Sequence, residues 1–65
     1  MTMREAIRIL DPETTREAIA EIEYYAGFKG REAAIQAVDD ACRIACDVMR
    51  RALKAQEGEN HDPNN

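Results

Sequence analysis

Residues 31–55 read REAAIQAVDDACRIACDVMRRALKA, and this stretch decides the fold. Ala34, Ile35, Val38, Ala41, Cys42, Ala45, Val48, Met49, Ala52 and Leu53 recur at the three- and four-residue spacing of one helix face. Gln36, Asp40, Arg43, Asp47, Arg50 and Lys54 hold the opposite face. Asp39 with Arg43, and Asp47 with Arg51, are acid-then-base pairs four apart that support a helix. Arg50, Arg51 and Lys54 complement the negative end of its dipole. The pattern predicts a helix from about Arg31 to Ala55, about 37 Å long.

Upstream, Phe28-Lys29-Gly30 follows Gly27 and reads as a tight connector. The segment before it carries Ala18, Ile19, Ile22 and Ala26 at helical spacing, and Gly27 suits the left-handed residue that closes a helix. Its start is open between two signals. Asp11 is a cap with Pro12 at the first position, and Thr14 is a cap with Glu17 as its box partner. A first helix, Met3–Leu10, opens with a Thr2/Glu5 capping box. It places Met3, Ala6, Ile7 and Leu10 on one stripe and ends at Asp11-Pro12, because the residue before proline avoids helical geometry. Downstream, residues 57–65 contain no large apolar side chain and read as a disordered tail.

The expected fold is therefore all-α: one helical domain over residues 1–56 and a tail over 57–65. The lengths suit the first two helices laid end to end, antiparallel to the third. One hairpin leaves part of the third helix's wide apolar face bare, so the expected state is a homodimer or larger, packed as an oligomeric helical bundle.

A chain of 65 residues holds one domain and is marginal without help from disulfides, metal or self-association. Its net charge of −4, with bases interspersed among acids, argues against a nucleic-acid binder, which needs a concentrated basic face. No apolar run is long enough for a signal peptide or a membrane span. Cys42 and Cys46 lie four apart in a helical stretch, where a disulfide would be strained. The expectation is a cytosolic protein with reduced, buried thiols, no metal and no cofactor.

Catalysis needs convergent groups, and the only histidine, His61, lies in the tail. The chain reads as a binding protein rather than an enzyme. Tyr24 points away from the Ile19/Ile22/Ala26 stripe, and Tyr25 packs at its edge. Tyr24 with Phe28, Lys29 and Arg31 places aromatic planes and positive charge at one hairpin end, a combination that grips bases and phosphates. The plainer reading is an aromatic plug over that end. Thr14, Thr15 and Arg16 form a second candidate, although capping alone also explains them.

Arg4-Glu5-Ala6-Ile7, residues 10–18 (LDPETTREA), residues 23–28 (EYYAGF) and residues 41–45 (ACRIA) resemble short helical proteins of phages and prophages of Gram-positive bacteria. The layout is similar to the helical anti-CBASS sponges, in which a short first helix precedes an antiparallel pair that oligomerises and sequesters cyclic nucleotides. That resemblance implies a counter-defence protein in the host cytosol that binds a small anionic nucleotide signal. The competing expectations are an inhibitor that presents its acidic face to a host defence protein, and a small helix-turn-helix regulator.

Overall fold

The computed structural model describes residues 1–59, which form three α-helices and no strand. They are α1 (Met3–Leu10), α2 (Thr15–Ala26) and α3 (Gly30–Glu59), with a single 3-10 turn at Gly27–Lys29 between the last two. Thr2 caps α1 as expected: its backbone is extended and its hydroxyl accepts from the Glu5 amide at 3.1 Å. Pro12 holds Asp11 extended at φ −70°, ψ 123°, and the helix stops there.

The α1–α2 turn differs from both sequence-based alternatives. Asp11 does not N-cap α2 but C-caps α1, its amide donating to the Ile7 carbonyl at 2.8 Å; its carboxylate accepts from the Glu13 amide at 2.9 Å, and its carbonyl from the amides of Thr14 and Thr15 at 3.0 and 2.8 Å. Thr14 stands at the N-cap position of α2, yet its hydroxyl makes no capping bond there. It donates instead to the Arg8 carbonyl at 2.7 Å, satisfying one of the orphan acceptors at the end of α1. The expected Thr14/Glu17 box is therefore replaced by a clasp between helices.

That clasp folds α1 back alongside α2 rather than end to end with it. Arg8 Nη1 reaches Glu21 Oε2 at 2.6 Å, which two helices in line would forbid. The helices run up, down and up. Ala6, Ile9, Ala18 and Ala41 form the buried centre, with Ile19, Ile22, Ala37 and Ile44 packed around it. Alanine dominates because three helices converge on one point, and Ala41, at 0% exposure, leaves no room for a longer side chain.

The covered faces are consequently narrower than the sequence patterns. On α1 the buried pair is Ala6 and Ile9, while Met3 and Ile7 of the expected stripe stay exposed. On α3 the covered line runs through Ala34, Ala37, Ala41 and Ile44. Ile35, Met49 and Leu53 stand outside it, and so do both thiols, which are free and exposed rather than buried.

Two glycines set the hairpin. Gly27 takes φ 63°, ψ −128°, which side-chain-bearing residues avoid. Gly30 is buried where α2 and α3 cross: a β-carbon there would lie 2.7 Å from the Glu23 carbonyl oxygen. α3 also runs past the expected end at Ala55, through Glu57 and Gly58 to Glu59. The rest of the expected tail, residues 60–65 with His61, lies outside the described residues. From residue 46 through 58 every side chain of α3 is exposed, so its C-terminal part overhangs the bundle. The radius of gyration is 16.3 Å, where a compact chain of this length measures about 11 Å.

Candidate functional site

At the hairpin end the fold leaves aromatic rings in water. Tyr24 is 79%, Tyr25 83% and Phe28 97% exposed, so the plug reading fails for all three. The cause is the close crossing at Gly30: α2 and α3 approach so tightly that no ring fits between them. Tyr24 and Tyr25 meet edge to face, their centroids 5.2 Å apart at 88°. Lys29 Nζ sits 6.0 Å from the Phe28 ring centroid, at the outer reach of a cation–π contact. Arg31 lies exposed in the first turn of α3. Tyr24, Phe28, Lys29 and Arg31 thus share one end of the molecule, with the direct contacts running Tyr24–Tyr25 and Phe28–Lys29.

Tyr25 was missed as a site residue because periodicity placed it against the helix stripe. It also lines a cleft of about 600 Å³ between the three helices, together with Ile9, Ile22, Ala26, Ala33 and Ala37. The charged side chains on that cleft are Glu5, Arg8 and Glu21, and Arg8 is already paired with Glu21. The remaining lining is mostly apolar and suits an apolar group. Cations available to a phosphate are Lys29 and Arg31, outside the cleft.

Thr14, Thr15 and Arg16 belong elsewhere. They begin α2, whose twelve residues hold them roughly 18 Å from the hairpin end. Thr14 spends its proton on Arg8, and Thr15 is half-buried. Only Arg16 of the three stands free in solvent, so this segment reads as a turn.

Two further surfaces follow from the narrow core. Met3, Ile7 and Leu10 of α1 face Ala45, Val48 and Met49 of α3 across an apolar groove of about 460 Å³. Beside it, Asp39, Cys42, Arg43, Cys46 and Arg50 line a shallow depression on α3. Arg43 Nε donates to Asp39 at 2.8 Å, and this hydrogen bond, then the opposite charge, raises the Arg43 pKa above its ordinary value. No helix among the described residues is long and apolar enough to cross a membrane.

No protein-family model, curated protein or solved structure matches the chain.

Proposed function

We propose that this chain is a non-catalytic binding protein that sequesters a small, ring-bearing anion of nucleotide class at the hairpin end. The observation that carries the reading is the solvent exposure of Tyr24, Tyr25 and Phe28 beside Lys29. Rings left in water by a fold that has so few of them are available for stacking, and the adjacent ammonium supplies a phosphate partner. The biological setting, a phage-encoded counter-defence sponge acting in the host cytosol, rests on the sequence resemblance and on the layout of a short helix before a hairpin.

Calorimetry against a panel of cyclic and linear nucleotides tests the reading. Tyr24→Ala or Phe28→Ala removes a stacking plane and is expected to weaken binding by about 1–3 kcal/mol, roughly ten- to hundredfold. Lys29→Ala and Arg31→Ala are expected to weaken it in a way that raised salt reproduces, since both charges are exposed. None of the four is expected to shift the melting temperature appreciably. Absence of nucleotide binding by the unaltered chain sinks this reading.

A second reading keeps the binding role and exchanges the ligand for a host protein with a basic groove. Glu13, Glu17 and Glu23 favour it: they stand exposed along α2 and its leading turn, with no ion-pair partner among the described residues. Capture of a basic host protein with no nucleotide bound would select it. The regulator reading loses ground, because the first half of α3, the helix it would lay in a groove, carries Glu32, Asp39 and Asp40 against a phosphate backbone.

A further inference from the structure

Cys42 and Cys46 are the only cysteines of the chain, and the fold leaves both free and exposed. A free cysteine ordinarily packs as a small buried hydrophobe. Two of two in water, one helical turn apart, is a departure that core packing does not explain. The pair stands about 40° apart around α3 and about 6 Å apart along it. Both side chains line the same shallow depression, with Asp39, Arg43 and Arg50. Reach sets what two thiols so placed can do. β-Carbons at this spacing are about 5–6 Å apart, whereas a disulfide holds them about 3.5–4.5 Å apart. A direct sulfur–sulfur bond would have to bend the helix. An atom inserted between the sulfurs removes the conflict: two metal–thiolate bonds of about 2.3 Å span up to about 4.6 Å, where a disulfide spans about 2.0 Å.

Donor number then selects the ion. Zinc closes a tetrahedron with four ligands, and no group of three or more His, Cys, Asp or Glu side chains placed to hold a metal occurs among the described residues. Asp39, the carboxylate on the same depression, is held by Arg43 at 2.8 Å. Two thiolates without a third donor match a soft, closed-shell cation that accepts two sulfurs nearly in line, and thiolate softness favours copper(I). Such a complex carries one negative charge. Arg50, on the same rim four residues beyond Cys46, has no ion-pair partner among the described residues and can offset it. We propose that Cys42 and Cys46 form a chelate for a single copper(I) ion on the open face of α3. Binding exchanges two thiol protons, released to solvent, for two copper–sulfur bonds, and no electron is transferred. The chelate lies about 18 Å along α3 from Gly30, so it stands independently of the ligand proposed for the hairpin end.

Anaerobic titration of the reduced full chain with copper(I), in competition with bicinchoninate, tests the site. One copper(I) per chain is expected to be withheld from the chelator, with sulfur-to-copper charge-transfer absorption in the ultraviolet and no change of mass by light scattering. Cys42→Ser and Cys46→Ser are each expected to lower the affinity by about 10²–10⁴, the advantage of joining two donors. Helicity is expected to be unchanged in both, because both side chains are exposed. A third variant, Cys46→Ser with Asp47→Cys, keeps two thiols but turns them about 140° apart around the helix. It is expected to bind as weakly as the single variants. Zinc(II) is expected to pass to a competing chelator throughout, and its retention overturns the two-donor reading. One copper(I) shared between two chains overturns the intrahelical chelate. So does a single-thiol variant or the displaced pair that withholds copper as well as the unaltered chain, and so does an unaltered chain that surrenders all of it to the chelator.

Discussion

Gly30 has no side chain because a β-carbon would stand 2.7 Å from the carbonyl oxygen of Glu23 and 2.9 Å from its α-carbon, both fixed backbone atoms. Gly30→Ala must push α2 and α3 apart. The expected loss is about 1–3 kcal/mol, the cost of overpacking a tight contact, read as a lower melting temperature by circular dichroism. Gly58 lies in the same helix with nothing within 4 Å of its would-be β-carbon. Gly58→Ala is therefore expected to leave stability unchanged or raise it by up to about 1 kcal/mol. Equal melting temperatures for the two variants would mean that the crossing yields without cost. Gly27 is constrained for a different reason, its φ of 63°, and Gly27→Ala is expected to cost about 1–3 kcal/mol in backbone strain. The sequence marks both glycines of the connector as punctuation. It cannot say that one supplies a dihedral angle and the other supplies room, because the second depends on how close another helix comes.

All three helices were legible from caps, proline and periodicity, and their ends agree within a few residues. The inward face of α2 was legible too, since Ala18 is buried and Ile19 and Ile22 pack around it; those of α1 and α3 were legible only in part. On α1 the expected stripe was Met3, Ala6, Ile7 and Leu10, yet of these the fold buries only Ala6, and it adds Ile9 from outside the stripe. The reason is tertiary: a three-way convergence selects small side chains at the contact and leaves bulk for an outer surface. Thr14 shows the same limit at a cap. Its sequence position suits an acceptor for the α2 amides, but the structure uses it as a donor to the Arg8 carbonyl at 2.7 Å. The two roles separate cleanly by substitution. Aspartate is a good N-cap acceptor but cannot donate, and it brings negative charge against a carbonyl oxygen. Thr14→Asp is expected to destabilise the fold by about 1–2 kcal/mol, while Thr14→Ser is expected to lie close to the unaltered protein. Chemical denaturation of the three proteins checks this, and a neutral or stabilising Asp would return Thr14 to the capping role. The neighbouring Arg8–Glu21 pair is 43% and 51% exposed in its side chains, so its removal is expected to cost no more than about 1 kcal/mol and less in high salt.

For the molecule as a whole, the candidate hairpin-end site was partly legible, since Tyr24, Phe28 and Lys29 are exposed there as the sequence suggested. Thr14 and Thr15 were not separable from a turn without seeing where their hydroxyls go. The size of the uncovered surface was legible only in outline, as a third helix with more apolar face than one hairpin hides. The structure gives that surface its dimensions. The buried hydrophobics are Ala6, Ile9, Ala18, Ala34 and Ala41, among which only Ile9 is large, while Ile7, Ile35, Met49 and Leu53 are each more than half exposed. Burial of alanine methyls contributes little, about 25 cal/mol for each Å² of apolar surface removed from water. A single chain with such a core is marginal, and folding that depends on association acquires a concentration dependence by mass action. For a dimer that unfolds to two separate chains, a tenfold rise in concentration contributes about 0.7 kcal/mol per chain. For a domain of this size that raises the melting temperature by about 3–6 °C. Thermal melts followed by circular dichroism across two decades of concentration are expected to show that trend, and Leu53→Asp is expected to flatten it by placing charge on the exposed apolar face of α3. A melting temperature independent of concentration would show that one chain sustains its fold alone, with the apolar face of α3 left in water.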